Sequence, residues 1–129
     1  MSFDITPAVP RGHQLIRKYG AGRFTIGEAV HEGSVLVFAE YTEAWPVDEP
    51  GAITAESLVT ITDIEAAIRP QILIVGCGAS FMVPPRGLRQ SLKQYGIVLE
   101  WMDTGAACRT FNVLLAEGRS AAAALIAVD

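Results

Sequence analysis

Apolar and polar positions alternate in short stretches over the first half of the chain, and turn residues separate those stretches. Residues 15–19 precede Gly20-Ala21-Gly22, residues 23–26 precede Gly27, and residues 34–38 follow Glu32-Gly33. Turns this close together predict an antiparallel β meander, because a tight connection can only reverse a strand. Residues 41–47 form a further strand, which Pro46 confines to an edge or a strand end because proline has no N–H for the ladder.

The second half changes character. Thr62-Asp63 reads as the cap of a short helix running to Ile68, with Pro70 as its stop. Ile72-Leu73-Ile74-Val75 is an unbroken β-branched and aliphatic run, as expected of a strand covered on both faces. Pro84-Pro85 opens a helix to Tyr95 that carries Leu88 and Leu92 at i, i+4, and Gly96 closes it. Residues 97–101 form a second buried strand, a Thr104-Gly105 turn follows, and residues 106–117 form an alanine-rich helix capped by Asp103 or Thr104. Residues 120–128 read as a last strand centred on Leu125-Ile126-Ala127-Val128.

Strand 72–76, helix 85–95 and strand 97–101 make a βαβ unit, which is parallel and right-handed by the general rule for such crossovers. The fold class expected is therefore α/β. It is a three-layer single domain with a mixed, mostly parallel central sheet containing that unit, plus an N-terminal antiparallel β meander. Residues 1–13, with Pro7 and Pro10, read as an N-terminal arm, and residues 14–129 as the domain. The two loops that follow the parallel strands must leave the sheet at one edge, where ligands of open α/β sheets gather.

Composition narrows the classes. The 129 residues suit one hydrophobic core, and 50% of them are apolar. No apolar run approaches the ~20 residues a spanning helix needs, and the start lacks a secretory pattern, so a cytoplasmic, soluble protein is expected. Two cysteines are too few for a disulfide scaffold. A net charge of −4 argues against nucleic acid. Its distribution is uneven: residues 24–68 hold nine acids and no Lys or Arg, while residues 66–99 hold four bases and no acid.

The candidate cleft comprises Gly76, Cys77, Gly78 and Ser80 from the first loop, with Asp103, Thr104, Cys108, Arg109 and Asn112 from the second. Gly76-Cys77-Gly78 begins like a dinucleotide loop, but the third glycine position is Phe81, so no nucleotide cofactor is expected. Cys108 lies near a helix start, where a thiol can be activated, yet the two histidines carry no base motif. Cys77 and Cys108 are a candidate redox pair. No paired C-x-x-C or H-x-x-x-H spacing exists for a metal. Arg109 and Asn112, with helix N–H groups, could hold a carboxylate or phosphate, or Arg109 could pair internally with Asp103 or Glu100.

Several blocks resemble a known family. They are Ile74-Val75-Gly76-Cys77-Gly78, Met102-Asp103-Thr104, Ala106-Ala107-Cys108-Arg109-Thr110-Phe111-Asn112, and Glu117-Gly118-Arg119. The family is that of the mitochondrial NADH dehydrogenase (respiratory complex I) assembly factor 3 and related bacterial proteins of unknown function. The resemblance implies a three-layer α/β fold, no established catalytic residues, and a protein partner. Cys77 departs from it, because threonine is common there. The expected function is thus a non-catalytic interaction or assembly factor for a respiratory membrane complex. Small-anion binding or catalysis at the two loops, and thiol redox work, are the alternatives.

Overall fold

The computed structural model describes residues 14–129. The expected arm, residues 1–13, lies outside the described residues. Strands β1 (Ile16–Gly20), β2 (Arg23–Ile26) and β3 (Ala29–Glu32) form a three-stranded antiparallel sheet. This is the expected meander, with β3 as a strand that the sequence pattern did not announce. Its residues Ala29, Val30 and Glu32 are exposed, so no apolar alternation marks them.

Strands β4 (Val35–Val37) and β5 (Thr42–Ala44), a short helix α1 (Val59–Thr62) and strand β6 (Ile72–Gly76) follow. Helix α2 (Leu88–Lys93), strand β7 (Val98–Met102), helix α3 (Thr104–Ala116) and strand β8 (Ala121–Leu125) complete the order. The second sheet has the order β5-β4-β8-β6-β7. It is mixed: β4 is antiparallel to β5 and β8, and β6 is parallel to β7 and β8. The strand bearing Thr42 and Ala44 is at the edge, with Pro46 just beyond it.

Strand alternation sorts the core into two layers. Leu36, Leu73, Val75, Ala122 and Ala124 face one side, under α2, Ile53, Leu58 and Trp45. Val35, Val37, Ile74, Ala123 and Leu125 face the other, under α3 and the Phe24 and Ile26 side of the meander. Burying apolar surface on both faces of one sheet is what makes the continuous run 72–75 stable as a strand.

Four expectations about element limits need correction. Thr62-Asp63 ends a helix instead of starting one, since the Asp63 amide donates to the Val59 carbonyl at 2.8 Å. The start signal lies earlier, at Thr54 and Ser57, whose side chains bond each other's backbone amides at 2.9 and 3.1 Å in the manner of a capping box. Helix α2 begins at Leu88 rather than at Pro84-Pro85, because Gly87 has a left-handed φ of 84° that no continuing helix can accommodate. Thr104 and Gly105 are the first turn of α3 and not a turn before it; Asp103 is the cap, accepting from the Ala106 amide at 2.9 Å. Finally, β8 consists of the four alanines and Leu125, and Ile126 onward lies past its end.

Candidate functional site

The parallel register sets the geometry. Gly76 pairs with Met102 and with Leu125, so β6, β7 and β8 end at one level. The loop after β6 and the start of α3 therefore meet. An added methyl at Gly76 would lie 2.9 Å from the Thr104 Cα and 3.1 Å from Ala107 and Leu125. Only glycine admits that approach.

Thr104 is fully buried and ties three segments. Its hydroxyl accepts from the Gly78 amide at 3.0 Å and donates to the Ile126 carbonyl at 2.8 Å. Its own amide donates to the Gly78 carbonyl at 2.9 Å. The Cys77 amide donates to the Met102 carbonyl at 2.9 Å. Gly76, Cys77, Gly78, Asp103 and Thr104 thus come together, but by direct bonding that fills the space between them. Open space lies on the other flank of the loop. There a hollow of about 460 Å³ is bounded by Asp48, Cys77, Ser80, Met82 and the segment 126–129.

Cys108, Arg109 and Asn112 turn toward the meander instead. Asn112 accepts from the Ile16 amide and donates to the Ile16 carbonyl, both at 2.9 Å, as a strand neighbour would. Arg109 has neither Asp103 nor Glu100 as its partner; its guanidinium donates to the Tyr19 hydroxyl at 3.5 Å. Cys108 is buried in the layer under α3. Burial pushes its thiol up from about 9 to about 12, outweighing the neighbouring Arg109 charge, which pulls the other way.

The arrangement limits the chemistry available. At the start of α3 the Thr104, Ala106 and Ala107 amides are already bonded to Gly78 and Asp103, so the dipole end has few donors left for an anion. Both thiols are free and buried. Among the described residues no group of three or more His, Cys, Asp or Glu is placed to hold a metal, and no helix is long and apolar enough to cross a membrane.

Sequence reasoning missed Tyr19 and Ile16 as partners of α3, and the part that residues 126–129 take in the rim. It also passed over Phe81-Met82-Val83, an apolar triplet between Ser80 and Pro84 that a scan for exposed runs would have flagged.

Comparison with known proteins bears on family and fold. The model of a family described as a protein of unknown function (DUF498/DUF598) matches residues 16–126. An uncharacterized protein of Rhodobacter capsulatus is 38% identical over 109 residues, covering 84% of this chain and 80% of that protein. The NADH dehydrogenase [ubiquinone] 1 alpha subcomplex assembly factor 3 of Danio rerio is 35% identical over 112 residues. That match covers 87% of this chain but 63% of the longer relative. A solved structure, described as an outer membrane protein from Bartonella henselae, superposes with a TM-score of 0.82 at 34% identity. It covers 95% of this chain and 100% of that one.

Proposed function

The chain belongs to the DUF498/DUF598 family, and from that premise we propose that it is a non-catalytic assembly factor acting through protein contacts in the construction of a respiratory NADH dehydrogenase. One observation carries this reading: 35% identity over 112 residues to an assembly factor of that enzyme. The geometry supports it in a second way. The side chains that could have formed a reactive cluster are engaged in holding segments together: Thr104 to Gly78 and Ile126, Asn112 to Ile16. The Cys108 thiol, raised to about 12, is almost wholly protonated near neutrality and so is a poor nucleophile.

The test is deletion of the gene in its native cell, followed by native-gel separation of NADH dehydrogenase. Mature enzyme should fall and partial assemblies accumulate, and Cys108→Ala should restore the enzyme as well as the unaltered protein does. Undiminished mature enzyme in the deletion strain would sink the proposal.

A further inference from the structure

Between β6 and α2 the chain holds three successive apolar side chains in solvent: Phe81, Met82 and Val83 are 60%, 52% and 82% exposed. Water disfavours this arrangement, and a slack loop would fold at least one of them inward. Here the backbone is tied at its middle residue from both sides. The Met82 amide donates to Cys77 Sγ at 3.4 Å, and the Met82 carbonyl accepts from Trp101 Nε1 at 2.6 Å. The buried Cys77 thiol in turn donates to the Ser80 carbonyl at 3.6 Å, so the whole bend turns on one sulfur. Pro84-Pro85 follow and fix their own φ.

Apolar residues held rigidly in the open lose little conformational freedom on binding, which is the condition for an efficient anchor. Aromatic, Met and Arg residues are also the types enriched at interface centres. Arg86 and Arg89, both exposed, come next in the chain, and Arg89 gives one guanidinium N–H to the Leu99 carbonyl while the rest of its charge faces outward. The nearest acid on β7, Glu100, pairs in register with Ile74 and so belongs to the α3 side of the sheet, away from Leu99 and Trp101. Asp48 and Asp129 line the hollow on the other side of the loop, which Met82 also borders. Glu56 borders a hollow with Ser91, Leu92 and Tyr95, farther along the chain from Phe81-Met82-Val83. The corner at Arg86 and Arg89 is thus apolar with a basic rim, on a protein whose net charge is −4.

We propose that Phe81, Met82 and Val83, rimmed by Arg86 and Arg89, are the surface by which this protein docks on its partner. The partner would present an apolar pocket edged by carboxylates, on a subunit of the NADH dehydrogenase under assembly. The inference rests on the assembly reading above and adds the place of contact. A protein occupant follows from the assembly reading; an anionic bilayer, which the same basic rim would attract, is separated from it by the test below.

Photocrosslinking in cells with an affinity-tagged NADH dehydrogenase subunit tests it. The amino acid p-benzoylphenylalanine replaces Phe81 or Val83, or, as controls, the exposed Val30 of β3 or Val113 of α3. Positions 81 and 83 should form adducts with a dehydrogenase subunit and positions 30 and 113 should not. Phe81→Ser should lower co-purification ~10-fold with the melting temperature unchanged, and Arg86→Glu with Arg89→Glu should lower it as well. Adducts from position 30 or 113 alone, with the unaltered protein still co-purifying, would overturn this surface and leave the assembly reading standing. Failure of the unaltered protein to co-purify would overturn both. Flotation with phosphatidylglycerol vesicles, abolished by Phe81→Ser and unaccompanied by any subunit adduct, would overturn the docking proposal in favour of a lipid surface.

Discussion

Gly78 and Thr104 hold each other by two hydrogen bonds, the Gly78 amide to the Thr104 hydroxyl at 3.0 Å and the Thr104 amide to the Gly78 carbonyl at 2.9 Å. Thr104→Val keeps the shape of the side chain and removes the hydroxyl. The Gly78 amide and the Ile126 carbonyl are then left without it in a buried place, at ~1–3 kcal/mol each. A loss of ~2–4 kcal/mol in urea unfolding is expected, against less than ~1.5 for Thr104→Ser, which keeps the bonds. Equal stability of the valine variant and the unaltered protein would refute the role assigned to the hydroxyl.

Gly76→Ala tests the close approach of β6 to α3. The new methyl meets Thr104 backbone as well as Ala107 and Leu125, so no single flexible side chain can yield. A destabilisation of ~1–3 kcal/mol is expected from overpacking. Gly78→Ala should also destabilise, but for a conformational reason, since Gly78 has a φ of 117° with only Pro50 near. Crystal structures of the two variants would separate a shifted helix from a strained loop.

Asn112 fastens the meander to α3 through both bonds to Ile16. Asn112→Ala should speed amide hydrogen exchange across β1 and β2 while leaving β6 nearly as protected as before. Asn112→Asp should do no better near neutral pH. A carboxylate still accepts from the Ile16 amide but faces the Ile16 carbonyl with no proton to give. Uniform acceleration through both sheets would show that the meander does not open separately.

Cys108 gives a pH signature. Its folded pKa is raised to about 12 from an ordinary 9, so the folded state favours the neutral thiol. Its contribution is fully present below pH ~9 and declines as pH rises toward ~12, by ~1.4 kcal/mol per pH unit, because only the unfolded state ionises in that window. Compared with Cys108→Ala, the unaltered protein should therefore lose ~2 kcal/mol more between pH 8 and 10.5. Parallel pH profiles would mean that the thiol is not held neutral.

Where one residue pattern had one physical cause, the sequence was readable. Ile72-Leu73-Ile74-Val75, the leucines at 88 and 92 and the closing Gly96 give the parallel pair, and the pair brings the two loops to one edge. Alanine in β8 was harder to read, because its helical preference is overridden when small side chains must let layers approach on both faces. The true start of the segment leading into α1 is written in Thr54 and Ser57, a reciprocal pair that looks like ordinary loop composition. Arg109 and Asn112 were named from sequence, but their destinations depend on where β1 packs. Nothing local to α3 encodes Tyr19 or Ile16 as neighbours.

The placement of β8 has a consequence for synthesis. It lies between β4 and β6, bonded to both, yet it is the final strand in chain order. Before Ala121–Leu125 leaves the ribosome, the β4–β5 hairpin and the β6–β7 pair have no bonded ladder between them, and each presents an open edge. The nascent chain thus cannot lock its core piecemeal. Closure waits for four inconspicuous alanines and the leucine that follows them.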